Sequence, residues 1–468
     1  MQGSSHFPRR AGWLALLAIL ILGSALTTIS PTQAQTTPTA TPSDNLWMAY
    51  SNSRDALEEK YHVDLTIVRS WEFAETEFVE GIDSCLDPVE GYQPQQLYFG
   101  WRFILTAMDG RQFEGRSSFN AQIITACDHV TDPIAAPAAA GAVDPNLPAP
   151  VAGSAAVGGF ELGGHVAGIN SNTISLMQRA GMRWMKIQHR YTLGSDPSAV
   201  AGMINQVHGA GFKILLAIVG DKSQMTDYGS YINSYASFVG GAAALGADAI
   251  EVWNEPNIDR EWPAGSINGA NYTQLLAAAF NAIKSSHGST IVISGAPAPT
   301  GFFGTAGCGS GGCNDDTFMQ QMAAAGAAQY MDCVGLHYNE GIIPPTQNSG
   351  DPRGGYPTYY FSSMLQRGYA PFGGKQVCFT ELGYLSGQGF NQAIPANFSW
   401  AANTTVAQHA SWLAGAATAA AQSGKVRLMI VWNVDFPLFT ADDPMGGYAM
   451  YRPDGTCPAC DALGAVMH

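Results

Sequence analysis

The stretch KILLAIVGDKSQMTDYGSYINSYASFVGGAAALGADAIEVW, residues 213–253, decides the fold. After Lys213, KILLAIV is apolar without alternation, the pattern of a strand buried on both faces. YINSYASFVGGAAALG, residues 231–246, reads as a helix ending on Gly246, a residue type that commonly closes helices. AIEVW then returns as a second apolar strand. Strand, helix and strand in that order make a βαβ unit with parallel strands.

Outward from this unit the pattern repeats. GGFELGG and RWMKIQ precede it, and TIVISG, CVGLHY, QVCFTEL and RLMIVW follow, each separated from the next by a helical stretch. Eight such units predict an α/β fold, a (β/α)8 TIM barrel over residues 156–468. A doubly wound open sheet is the alternative, but no Gly-rich phosphate turn follows the first strand.

Upstream, residues 132–155 are rich in Ala, Pro and Gly and read as a linker, which implies separate cores on either side. Residues 44–131 are predicted to form a small α+β domain of unlegible role. A helix capped near Ser43 and Asp44 opens it, and Asp109-Gly110 between two extended runs marks a hairpin. Residues 35–43 are a Thr/Pro tether. Residues 1–34 hold Arg9 and Arg10, an apolar run and the small-x-small site Thr32-Gln33-Ala34. They read as a signal peptide or a single membrane anchor, which places the chain outside the cytoplasm, secreted or bound to the cell envelope. The 468 residues carry 22 basic and 37 acidic side chains, net −15. That balance argues against nucleic acid as partner and suits a neutral or basic substrate. A monomer is expected.

A barrel sets its chemistry at the C-terminal ends of its strands. The fourth strand ends in EVWNEPN, which brings Asn254 and Glu255 to the mouth; the seventh ends in CFTELGY, which brings Glu381 there. Paired carboxyls facing each other across the mouth are what glycosidic bond cleavage requires, one to protonate the leaving oxygen and one to attack. Two such groups also repel, so Glu255 is expected to be raised by ionised Glu381.

From about residue 156 to 450 the chain resembles clan A of the glycoside hydrolases, with family 39 and related family 5 enzymes nearest in look. WNEPN is the most specific piece. The resemblance implies a retaining hydrolase of O-glycosidic bonds, β-linked, in an extracellular poly- or oligosaccharide, working without a cofactor. It implies Glu255 as acid/base, Glu381 as nucleophile and Asn254 as partner of a sugar 2-hydroxyl. LHYN resembles the clan's His/Tyr position, so His337 and Tyr338 would border the nucleophile, and Trp432 in IVWN would stack on the sugar. Lys186 stands where many relatives carry an arginine beside the nucleophile, and Arg190 is a second candidate for that place. A lysine keeps the charge but loses the two-pronged fork. His165 is a further candidate substrate-binding residue. His165, His189 and His337 all fall near strand ends, but no H-x-H pair or carboxylate triad accompanies them, and no metal is expected. Trp253 is expected in the core.

Of the eight cysteines, Cys85 with Cys127, Cys308 with Cys313 and Cys457 with Cys460 are candidate local disulfides. Cys333 and Cys378, inside neighbouring strands, are expected as unpaired small hydrophobes. The alternative to a hydrolase is a carbohydrate-binding barrel without turnover, which the intact carboxylate pair disfavours.

Overall fold

A computed structural model describes residues 44–78, 81–85, 98–118, 121–130, 147–152, 159–301, 303, 307–309 and 311–467. The expected export segment, the tether and most of the linker lie outside the described residues.

The chain opens with helix α1 (Asp44–Tyr61), followed by strands β1 (Val68–Phe78), β2 (Tyr98–Ala107), β3 (Gln112–Ser117) and β4 (Ile124–Ala126). The strands form one antiparallel sheet in the order β1-β2-β3-β4. Asp109-Gly110 turns β2 into β3, with Gly110 at φ +90°, where a side chain would be strained. In α1, Tyr50, Ser53 and Leu57 recur at helical spacing and are fully buried. Lys60 Nζ caps the sheet edge by donating to the Ala126 carbonyl at 2.6 Å, and a disulfide joins Cys85 to Cys127.

The barrel runs β5 (Glu161–His165), α2 (Ser171–Arg179), β6 (Trp184–Arg190), α3 (Ala201–Gly209), β7 (Lys213–Val219), α4 (Tyr228–Ala244), β8 (Ala249–Val252), α5 (Gly269–Ser286) and β9 (Ile291–Ser294). A two-residue ladder, β10 (Cys308–Gly309) with β11 (Gly312–Cys313), precedes α6 (Asp315–Ala324). Then come β12 (Val334–Tyr338), α7 (Phe361–Tyr369), β13 (Val377–Leu382), α8 (Val406–Ser423), β14 (Val426–Val431), α9 (Met445–Tyr448) and α10 (Pro458–Met467). The eight long-range parallel strands follow the order β12-β13-β14-β5-β6-β7-β8-β9, and a bridge from Ile293 to Cys333 closes β9 onto β12. The closing seam is tight. A Cβ at Gly335 would stand 1.9 Å from the Ser294 carbonyl oxygen, so only glycine fits there.

Side-chain alternation splits the apolar strands between two cores. In β7, Leu215 points into the barrel with Trp184, Ala249, Ile293 and Ile430. Its neighbours Ile214, Leu216 and Ile218 point out against the helices. Cys333 and Cys378 lie in the inner core and form a disulfide. That corrects the expectation of two free thiols: adjacent parallel strands bring their Cα atoms to 5.8 Å, inside disulfide range. Disulfides also join Cys308 to Cys313 and Cys457 to Cys460.

The small domain does not keep its core to itself. Tyr50, Trp71, Trp101 and Phe103 are buried together with Ile343, Tyr356, Tyr359 and Tyr360 from the segment between β12 and α7. Trp71 meets Tyr356 edge to face at 5.1 Å. Each such ring is worth roughly 1.5–3 kcal/mol of burial, so the barrel segment is part of the domain's hydrophobic centre, which the linker did not suggest. The described part of the linker is strapped to the barrel as well: Asn281 of α5 bonds the Val151 amide at 2.8 Å and the Ala149 carbonyl at 3.1 Å.

Candidate active site

The segment after β8 explains its own sequence. Trp253 is fully buried and packs against Tyr235 and Trp262, with ring centroids 5.7 and 5.2 Å away. Its indole N–H donates to the Glu261 carbonyl at 3.2 Å. This is the core role expected for it. Asn257 is the brace: its amide donates to the carbonyls of Ala298 and Cys313 at 2.9 and 3.0 Å, and its oxygen accepts from the Ala298 amide at 2.7 Å. Between these anchors Trp253 and Glu255 adopt φ of +78° and +44°, a conformation that non-glycine residues hold only when their surroundings impose it. The result is that Glu255 turns into the mouth.

The Glu255 carboxylate is held at both oxygens. His337 Nδ1 lies 3.2 Å from Oε1, and the Arg260 guanidinium donates to Oε2. Burial raises this carboxyl, but the hydrogen bond and charge of His337, together with Arg260, overcome that and hold it below the ordinary carboxylate value. The expected rise from Glu381 is therefore corrected. The negative charge of Glu381 acts first on His337: burial lowers this imidazole, and Glu381 and Glu255 outweigh it and raise its pKa. His337, with its pKa raised, stands between the two carboxylates.

Glu381 ends β13 and meets four groups. Lys186 Nζ is 3.4 Å from Oε1, Asn339 Nδ2 donates to Oε2 at 3.4 Å, His337 Nδ1 is 3.8 Å from Oε2 and His165 Nδ1 is 3.9 Å from Oε1. Lys186 is fully buried and also pairs with Glu251 Oε2 at 2.9 Å and the Thr380 carbonyl at 3.1 Å. Burial lowers its pKa, yet the carboxylates of Glu251 and Glu381 raise it further, so it stays charged. His165 is pushed well down by burial and by the charges of Lys186 and His337, so it is neutral. The shared contacts of His337 bound the gap between Glu255 Oε1 and Glu381 Oε2 at about 7 Å, the sum of the two distances.

The other candidates divide. Asn254 is buried beside Glu255 and its Oδ1 has no partner among the described residues, as suits an acceptor for a ligand hydroxyl. Trp432 is half-buried at the mouth, 4.9 Å from the His165 ring and 5.1 Å from that of Phe436, and the Trp432–Asn433 peptide is cis. Lys186 fills the place beside Glu381. Arg190 does not reach it: its side chain is 59% exposed and pairs with Glu261 at 2.9 Å. Tyr338 does not border Glu381 either. Strand alternation that points His337 inward points Tyr338 outward, where its hydroxyl donates to the Tyr359 carbonyl at 3.0 Å and its ring meets Tyr384. His189 stacks on Phe238 at 5.6 Å.

Three participants were missed in the sequence. Glu251 carried a signal, a lone charge inside the apolar strand AIEV. Asn339 closes the quoted LHYN and was not singled out there. Arg260 had no signal, since its role depends on how the 255–262 turn folds back.

No family model matches the chain, and no curated protein matches it. Among solved structures, a family 39 glycoside hydrolase from the gut symbiont Bacteroides cellulosilyticus WH2 superposes with a TM-score of 0.46 at 15% identity, covering 79% of this chain and 70% of that one. A GH5-4 broad specificity endoglucanase from Clostridium acetobutylicum gives 0.44 at 15% identity over 66% and 97%. An endo-1,4-beta-mannanase from Rhizomucor miehei gives 0.43 at 14% identity over 66% and 95%. At such scores these likenesses carry no functional weight, and the chemistry rests on the residues of the site.

Proposed function

We propose that the chain is a retaining glycoside hydrolase that cleaves O-glycosidic bonds, β-linked, in a poly- or oligosaccharide outside the cytoplasm. The observation that carries this reading is the pair Glu255 and Glu381, bridged by His337 within about 7 Å. Retaining enzymes hold their carboxyls at about 5–5.5 Å and inverting ones at about 6.5–9.5 Å, so the bound leaves out most of the inverting range. Four disulfides support an oxidising compartment.

In the first step Glu381 attacks the anomeric carbon while Glu255 gives a proton to the glycosidic oxygen, and that C–O bond breaks. Lys186 and Asn339 aim the nucleophile. The anomeric carbon becomes an ester of Glu381. In the second step water attacks that carbon, Glu255 accepts its proton, and Glu381 is released as carboxylate. Asn254 offers Oδ1 to a sugar hydroxyl, and Trp432 offers a ring face to the sugar's apolar side.

The test is a panel of β-glucans, xylans, mannans and microbial exopolysaccharides, with the first-formed product read by proton NMR. Turnover with retained configuration is expected. An inverted first product would remove the double displacement, and binding without turnover on every member would favour the non-catalytic barrel.

A further inference from the structure

The two oxygens of Glu255 are both taken, and by very different partners. His337 is completely buried, fixed between Glu255, Glu381 and Glu251, whose Oε1 lies 4.0 Å from Nε2. Arg260 is 66% exposed on a long flexible side chain. A carboxyl that protonates a leaving oxygen needs one oxygen free to carry the proton and to face that oxygen. His337 has nowhere to go. Arg260 does: Glu261 Oε1 stands 3.7 Å from its Nε, and Glu261 is already ion-paired to Arg190.

We propose that Arg260 is a gate on Glu255, opened by the sugar on the leaving-group side and closed again when that sugar departs. The proposal rests on the hydrolase reading. In the free site the gate is shut and Glu255 is an arginine-bound carboxylate. The incoming sugar displaces the guanidinium toward Glu261 and solvent. Glu255 then takes up a proton from bulk solvent and passes it to the glycosidic oxygen as the bond to the anomeric carbon breaks; the proton it later accepts from the attacking water is released back to solvent. When the leaving sugar diffuses away, the guanidinium returns to Oε2 and favours the ionised form that must accept a proton from the attacking water. One carboxyl is thus acid while the leaving-group subsite is filled and base when it is empty. Arg260 is a positioning residue in this scheme, acting through Glu255. The charged groups facing Glu255 are Arg260 with Glu261 from its own turn and His337 from β12, with Glu381 of β13 behind the imidazole.

The experiment compares wild type, Arg260→Ala and Arg260→Lys on an activated aryl glycoside and an unactivated oligosaccharide of the preferred sugar. The alkaline limb of kcat/KM reports Glu255 in the free enzyme. In Arg260→Ala it should move up by about one unit, the low end of what a guanidinium does to a carboxylate. The acidic limb of kcat on the aryl substrate, where the second step limits, should move up with it. Rates on that limb then fall by up to about tenfold at a given pH. Arg260→Lys should restore most of the wild-type limb positions. A merely structural role would lower rates without moving either limb. Unmoved limbs in Arg260→Ala, in a protein that Glu381→Ala still inactivates, would overturn the gate alone. Absence of turnover by wild type on every substrate would overturn the hydrolase reading and the gate with it.

Discussion

The two carboxylates proposed as catalytic sit on the same barrel mouth but in opposite kinds of surroundings. Glu381 extends straight from β13 and is gripped by buried groups, Lys186, His165 and His337, with Asn339 at the rim. Glu255 sits on a turn, and one of its two partners is exposed. A nucleophile must meet the anomeric carbon at a fixed place and is served by rigid neighbours. An acid that becomes a base must change its protonation preference between steps, which movable neighbours allow. The contrast between a fixed arm and an adjustable one can be broken or sharpened by mutation.

The largest effect should come from Glu381→Ala. Loss of the attacking group should lower kcat/KM on the order of 10^4-fold or more. Added azide, small enough to fill the vacated space, should restore some turnover with inverted product, followed by NMR. Next is Lys186→Met. It leaves Glu251 buried without its cation, and breaking such a pair costs about 3–5 kcal/mol. Chemical denaturation should show that loss, with kcat falling as well.

Smaller effects belong to the adjustable arm. Asn257→Ala should destabilise by about 1–3 kcal/mol, because the buried Ala298 amide and carbonyl lose their partner. Its larger consequence should be kinetic, through a loosened Glu255 turn. Arg260→Ala should lower denaturation stability at neutral pH by about 1.4 kcal/mol, the equivalent of the one-unit shift expected for Glu255, and by less at a pH where that carboxyl is protonated. A loss there as large as that of Lys186→Met would erase the contrast. The pH dependence has a definite sign. Glu255 is depressed in the folded protein, so its contribution to stability is present above the unfolded value of about 4.3. That contribution is lost as pH falls through the folded value. On the proposed mechanism the same depression should pull the alkaline limb of wild-type kcat/KM downward in pH, which a pH profile of kcat/KM checks.

The barrel was legible because eight apolar strands do not alternate, and only a sheet covered on both faces asks for that. Glu255 and Glu381 were legible because barrel topology converts strand ends into mouth positions. Lys186 was legible as a charge but not as the holder of two carboxylates, since Glu251 and Glu381 come from other strands. Tyr338 was misplaced because adjacency to His337 in sequence means opposite faces on a strand. The disulfide between Cys333 and Cys378 was hidden for a related reason: strand neighbours are set by the sheet's order, and apolar flanks made both thiols look like packing. The shared core of the small domain left no local trace, because Tyr356, Tyr359 and Tyr360 sit in a loop whose destination nothing nearby encodes.

The most direct measurement is to trap the intermediate. An activated 2-deoxy-2-fluoro glycoside of the preferred sugar slows the second step more than the first, and the labelled protein can be digested and sequenced by mass spectrometry. The expected result is a single adduct on the carboxylate of Glu381, with Glu255→Gln still labelled by this good leaving group. An adduct on Glu255 or elsewhere, or turnover of the parent substrate with no adduct and inverted product, would contradict the assignment of the two carboxylates.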